Sequence, residues 1–123
     1  VFFTLLICAL TLASVNRMAE QKEQATRVLV TGANRGIGLS FVQQLLDRDN
    51  YTVVACCRTP DKAEDLKQLQ EKYKERLSVE KLEMTNDADI ENVAKSLKDK
   101  PIDILILNAG IMGDKDEQTK GHR

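Results

Sequence analysis

From Arg27 onward the chain alternates short apolar runs with amphipathic stretches, and the period of each run names its element. "RVLVTG" is β-branched and ends in a turn, which predicts a first strand. Behind it, Ile37, Phe41 and Leu45, with Val42 and Leu46, recur at helical spacing until "DRDN" stops them. "YTVVACC" is a second apolar run. Pro60 and Asp61 are expected to open a second helix whose apolar face is Ala63, Leu66, Leu69 and Tyr73. In "RLSVEKLEM" the spacing of Leu77, Val79 and Leu82 predicts a third strand. A third helix over 87–98 carries acids in its first turn and lysines in its last, complementing the helix dipole, and sets Ile90, Val93, Ala94 and Leu97 on one face. Pro101 ends it. "IDILILNAG" follows as a continuous apolar run, the pattern of a parallel strand buried on both faces.

Strands and helices in strict alternation at these lengths imply right-handed crossovers and a parallel sheet. The expected fold class is therefore α/β: the first half of a Rossmann-type, doubly wound dinucleotide-binding domain, with helices on both faces and strand order 3-2-1-4. Only the helix at 87–98 is in position to protect the second face, so the fourth strand offers an open edge that invites association, a homo-oligomer included.

Composition narrows the partners more than the fold. The 123 residues are 42% hydrophobic and 30% charged, an ordinary globular balance for one small domain. Eighteen basic and 19 acidic residues are well mixed and leave a net charge of −1, which gives no electrostatic reason to expect nucleic acid or an anionic membrane. Aromatics, at 4%, are too sparse for base-stacking platforms. Three cysteines, Cys8, Cys56 and Cys57, cannot form a disulfide framework, and an adjacent pair on a strand points to opposite faces of its sheet. A reduced, cytoplasmic chain is the simpler reading.

The chain opens on Val1, and "VFFTLLICALTLASV" runs fifteen residues without a charge, short of the about 20 a spanning helix needs. Two readings stay open. Residues 1–17 are an apolar leader, with "TLA" as a weak cleavage site and a secretory or membrane-targeted destination, or they are upstream sequence read in frame before a true start at Met18. On either reading, 18–123 is expected to form the first, incomplete part of one dinucleotide-binding domain.

The chemistry concentrates in "VLVTGANRGIG". Gly32, Gly36 and Gly38 fall between the end of the first strand and the start of the first helix, where unpaired amide N–H groups and the positive end of the helix attract an anion. Without Cβ atoms the chain turns sharply, a pyrophosphate touches backbone, and the helix packs tightly on the sheet. A glycine triplet alone is weak evidence, but a preceding strand and a following amphipathic helix are the context that gives it meaning. An NAD enzyme would place an acid about 20 residues beyond this loop to hold the ribose 2′-hydroxyl. Here the chain reads Ala55, Cys56, Cys57, Arg58. Arg58 ends the second strand where a 2′-phosphate would lie, and Arg35 can clamp the same group from the loop, so NADP(H) is the expected cofactor.

"TGANRGIG" at 31–38 and "NAG" at 108–110 resemble the short-chain dehydrogenase/reductase family, and the first helix with "ACCRTPDKAEDL" is similar to its carbonyl-reductase members of the sniffer and C-factor type. The resemblance covers about 27–112. It implies an NADP-dependent oxidoreductase that reduces small-molecule carbonyl compounds by hydride transfer. It also implies that Gly32, Gly36, Ile37 and Gly38 line the cofactor phosphates, with Thr31, Asn34 and Arg35 of the same loop among the cofactor-binding residues, that Glu83 meets the adenine, and that Asn108, Ala109 and Gly110 close over the adenosine side and steady the sheet. Two positions depart from the family pattern: Leu107 stands where the family's first Asn of "NNAG" would be, and Glu83 stands where it carries Asp.

Catalysis is not legible in these residues. The family's proton transfer uses a Tyr, a Lys four residues later and an upstream Ser, all beyond the fourth strand. Tyr51 is followed at that distance by Ala55 and Tyr73 by Leu77, so neither fits and no catalytic residue is assigned. Tyr73 reads as a cap on its helix's apolar face, and Cys57 as a small buried hydrophobe with a place beside the adenine as its alternative. His122, the single histidine, lies in a polar tail without a visible partner, and no metal site is expected. Two functions stay open: the cofactor-binding half of a carbonyl reductase, or a non-catalytic dinucleotide-binding module or truncated, inactive product.

Overall fold

The computed structural model describes residues 24–110, so Cys8, His122 and the 1–17 segment lie outside the described residues. Four strands, β1 (Thr26–Thr31), β2 (Tyr51–Cys57), β3 (Leu77–Lys81) and β4 (Ile104–Ile106), alternate with three α-helices, α1 (Gly36–Leu46), α2 (Glu64–Tyr73) and α3 (Asp87–Ser96). All pairings are parallel, and the sheet order is β3-β2-β1-β4, as the alternation required.

The two-residue period of the strands separates two cores. Val28, Val30, Val53, Ala55, Cys57 and Leu77 point to one face and pack with Val42 and Leu46 of α1 and Leu66 of α2. Leu29, Val54 and Cys56 point to the other and pack with Leu82 and with Val93 of α3. Helices thus cover both faces, and the adjacent cysteines divide between the cores as expected. Burial pushes both thiols up, Cys56 to about 12 from 9.0, with Glu80 and Cys57 adding to it. A thiol raised on folding stays protonated in the native chain while the unfolded chain ionises, so stability falls as pH rises through 9 toward 12. Between pH 8 and 10.5 the unmodified chain should lose about 1–2 kcal/mol more than Cys56→Ala in urea unfolding. Parallel losses in the two proteins would remove the thiol as the cause.

Four local expectations need correction. Pro60 and Asp61 belong to a 3-10 turn, Pro60–Lys62, and α2 begins only at Glu64. Between them Ala63 takes a non-helical backbone (φ −87°, ψ 74°) and lies buried in the first core, which breaks the helix before it can start at the proline. In α3 the buried positions are Asp89 and Val93, while Ile90 and Ala94 are exposed. The helix is turned so that the Asp89 carboxylate accepts from the Glu83 N–H at 3.0 Å, and that rotation carries Ile90 outward. Ile37 and Phe41 on α1 are exposed, the burial falling instead on Val42 and Leu46. Finally, β4 is not buried on both faces. Among the described residues it is one of the two edge strands, three residues long, and Leu105 is 56% exposed because none of those residues packs over it.

Candidate functional site

The carboxyl ends of the strands meet where the order reverses between β1 and β4, the place at which open α/β sheets leave a crevice. The chain leaves β1 through Gly32, whose φ of +63° is a left-handed turn. A Cβ there would approach the Ala109 backbone to 3.0 Å. Gly36, at φ +57°, opens α1, and a Cβ on it would project into open space on the crevice wall. Gly38 is of a third kind: its Cβ would lie 2.1 Å from the Gly32 carbonyl oxygen and 2.7 Å from Asn108 Nδ2. The glycines thus serve a turn, an open wall and a close helix approach.

Two polar side chains tie the loop to the segment after β4. The Thr31 hydroxyl accepts from the Asn108 and Ala109 backbone N–H groups, both at 3.0 Å, and its proton is directed to the Ile106 carbonyl at 3.5 Å. Asn108 Nδ2 donates to the Gly32 carbonyl at 3.2 Å. Asn108 and Ala109 thus tie the segment after β4 to Thr31 and the glycine turn through side chain and backbone at once.

These elements enclose a cleft of about 290 Å³. Ten of the twelve expected residues line it: Gly32, Asn34, Arg35, Gly36, Ile37, Arg58, Glu83, Asn108, Ala109 and Gly110. Thr31 and Gly38 stand outside that lining and shape it through the contacts just described. Leu82 and Met84 line the cleft as well and were missed, although they flank Glu83 in the sequence. Cys57 is 2% exposed and forms part of the cleft wall.

The electrostatics favour an anion at the loop. No side chain caps α1, no acid lies in its first turn, and the residue at the cap position is Arg35. Arg58 follows the last residue of β2, largely exposed, with its Nε 3.9 Å from Glu83 Oε2. Neither tyrosine borders the cleft: Tyr51 opens β2 at the opposite pole of the sheet, and the Tyr73 hydroxyl donates to Asp47 Oδ1 at 2.9 Å. Among the described residues no group of three His, Cys, Asp or Glu side chains could hold a metal ion, and no helix is long and apolar enough to cross a membrane.

The family model described as short chain dehydrogenase matches residues 26–121, more than half of the chain. The protein belongs to that family. Among solved structures, the chain is similar to the NADPH-bound carbonyl reductase from chicken fatty liver, at 42% identity and a TM-score of 0.64, over 75% of this chain and 37% of that one. It is also similar to a carbonyl reductase from Pseudomonas aeruginosa in complex with NADP, at 36% identity and a TM-score of 0.68, over 73% and 40% of the two chains. The short-chain dehydrogenase anuI of Penicillium roqueforti is 36% identical over 92 residues, 72% of this chain and 36% of its own. The chain thus spans about a third of the length of the curated relatives it matches.

Proposed function

We propose that this chain binds NADP(H) in the cleft and supplies the cofactor-binding part of an oxidoreductase that reduces carbonyl compounds. The observation that carries the reading is the meeting, around one cleft, of the glycine loop, two arginines and the Asn-Ala-Gly segment, with Arg58 standing where an NAD enzyme would carry an acid. The residues fit the cofactor on structural grounds. Gly36 leaves its side of the wall clear, the N-terminus of α1 has no internal anion, and the cleft is at the small end of ligand sites, suited to the adenosine and phosphate half of a dinucleotide.

In this reading the N–H groups opening α1 and the Arg35 side chain hold the phosphates. Arg58 binds the ribose 2′-phosphate, while Leu82 and Met84 supply apolar surface beside the base, with Glu83 at its edge. Thr31, Gly38 and Asn108 hold the loop in its bound shape beforehand through the contacts described above. When bound, the cofactor supplies the hydride. The similarity to carbonyl reductases described with NADPH and NADP supports the choice of cofactor and of reaction class.

Titration of the chain with NADPH and with NADH, followed by isothermal titration calorimetry, tests the proposal. NADPH is expected to bind about tenfold or more tightly than NADH, the minimum a charge-assisted pair to the 2′-phosphate supplies. Equal affinities, or no binding of either, would overturn it.

A further inference from the structure

Arg58 and Glu83 enter the cleft from the segments that follow the neighbouring strands β2 and β3, and their placement couples recognition of the 2′-phosphate to the residue at the edge of the base. Arg58 Nε stands 3.9 Å from Glu83 Oε2. Glu83 is held from two other sides. Its N–H donates to Asp89 Oδ2 at 3.0 Å, and the Thr85 hydroxyl donates to its Oε1 at 3.2 Å. Asp89 is itself buried, on a helix capped by Asn86, whose Oδ1 accepts from the Ala88 and Asp89 N–H groups at 2.9 and 3.4 Å. With the backbone pinned and Oε1 engaged, Oε2 is the oxygen that faces the guanidinium.

We propose that Glu83 is a specificity-determining residue that acts through Arg58, competing with the incoming 2′-phosphate for the same guanidinium and so limiting the preference for the phosphorylated dinucleotide. The inference rests on the reading of the cleft as an NADP(H) site. A guanidinium shared with a carboxylate is a weaker receptor for a second anion, and the carboxylate also repels the phosphate directly. The side chains are 65% and 30% exposed, so water screens the pair and the effect is moderate, about two- to fivefold in relative affinity. A Glu83 that only met the base would behave differently. The adenine is common to both dinucleotides, so removing such a contact changes both affinities alike.

The test measures dissociation constants for NADPH and NADH in the unmodified chain, Glu83→Gln, Arg58→Gln and the double variant, with circular dichroism to follow folding. Glu83→Gln is expected to raise the preference for NADPH about two- to fivefold, and the gain is expected to vanish when Arg58 is already Gln. Glu83→Asp, which keeps the charge but draws it back by one methylene, is expected to raise the preference by less than Glu83→Gln. Equal changes in both affinities, or an unchanged gain without Arg58, would overturn the competition while leaving the cofactor site intact. Failure of the unmodified chain to bind either dinucleotide would instead overturn the site.

Discussion

Gly38→Ala should destabilise the chain by about 2–3 kcal/mol and lower its Tm by roughly 10–20 °C, although the same change inside an exposed helix ordinarily stabilises by up to about 1 kcal/mol. The sign reverses because of what the new methyl would meet. Its Cβ would sit 2.1 Å from the Gly32 carbonyl oxygen and 2.9 Å from the Gly32 carbonyl carbon, both backbone atoms of a turn at φ +63°. That turn cannot retreat freely, since Ala109 packs against Gly32 and Asn108 holds its carbonyl at 3.2 Å. Either α1 lifts from the sheet or the Asn108 clamp opens. Gly36→Ala is the internal control: a Cβ there meets open space, so only the left-handed backbone is strained, at about 1–2 kcal/mol. Thermal unfolding of the two variants beside the parent checks the contrast. A Gly38→Ala chain as stable as the parent would mean that α1 does not approach β1 this closely.

Arg58→Asp should abolish the preference for NADPH, a change of about tenfold to a hundredfold in the ratio of the two dissociation constants. The substitution removes the cation that would hold the 2′-phosphate and installs an acid to which a ribose 2′-hydroxyl would donate. The side chain is 65% exposed and its ion pair with Glu83 is long, so stability should move by no more than about 0.5 kcal/mol. Selectivity and stability therefore separate. Paired titrations with NADPH and NADH, alongside urea unfolding of the same variant, read both quantities. An unchanged ratio of affinities would take the 2′-phosphate away from Arg58 and leave Arg35 as the other cation lining the cleft among the described residues.

Most of the frame could be read from local pattern. The period of "RVLVTG" and "YTVVACC" assigned their residues to two faces, and the separate burial of Cys56 and Cys57 follows from that period alone. The cleft was legible where one residue type answers one need. Glycines at a strand-to-helix turn and an arginine at a strand end are such cases, and ten of the expected residues do line one cavity. Leu82 and Met84 escaped because an apolar residue beside a strand end looks the same whether it faces core or crevice. Helix α3 misled for a related reason. Its spacing allowed an apolar face through Ile90 and Ala94, yet the buried stripe runs through Asp89 and Val93, because one carboxylate–amide hydrogen bond fixes the rotation.

By itself the sequence determined the order of elements, the parallel sheet and the family, because chain period, crossover handedness and turn chemistry are local properties that propagate into topology. The tertiary structure decided what each chosen residue does. Thr31 became a double acceptor for amides 77 and 78 positions away, and Gly38 became indispensable through a carbonyl and a side chain that only folding brings beside it. Among the described residues β4 lies beside β1 alone, so the apolar run of Ile104–Ile106 records what the segment can bury, while its neighbours in space settle how much of it is covered.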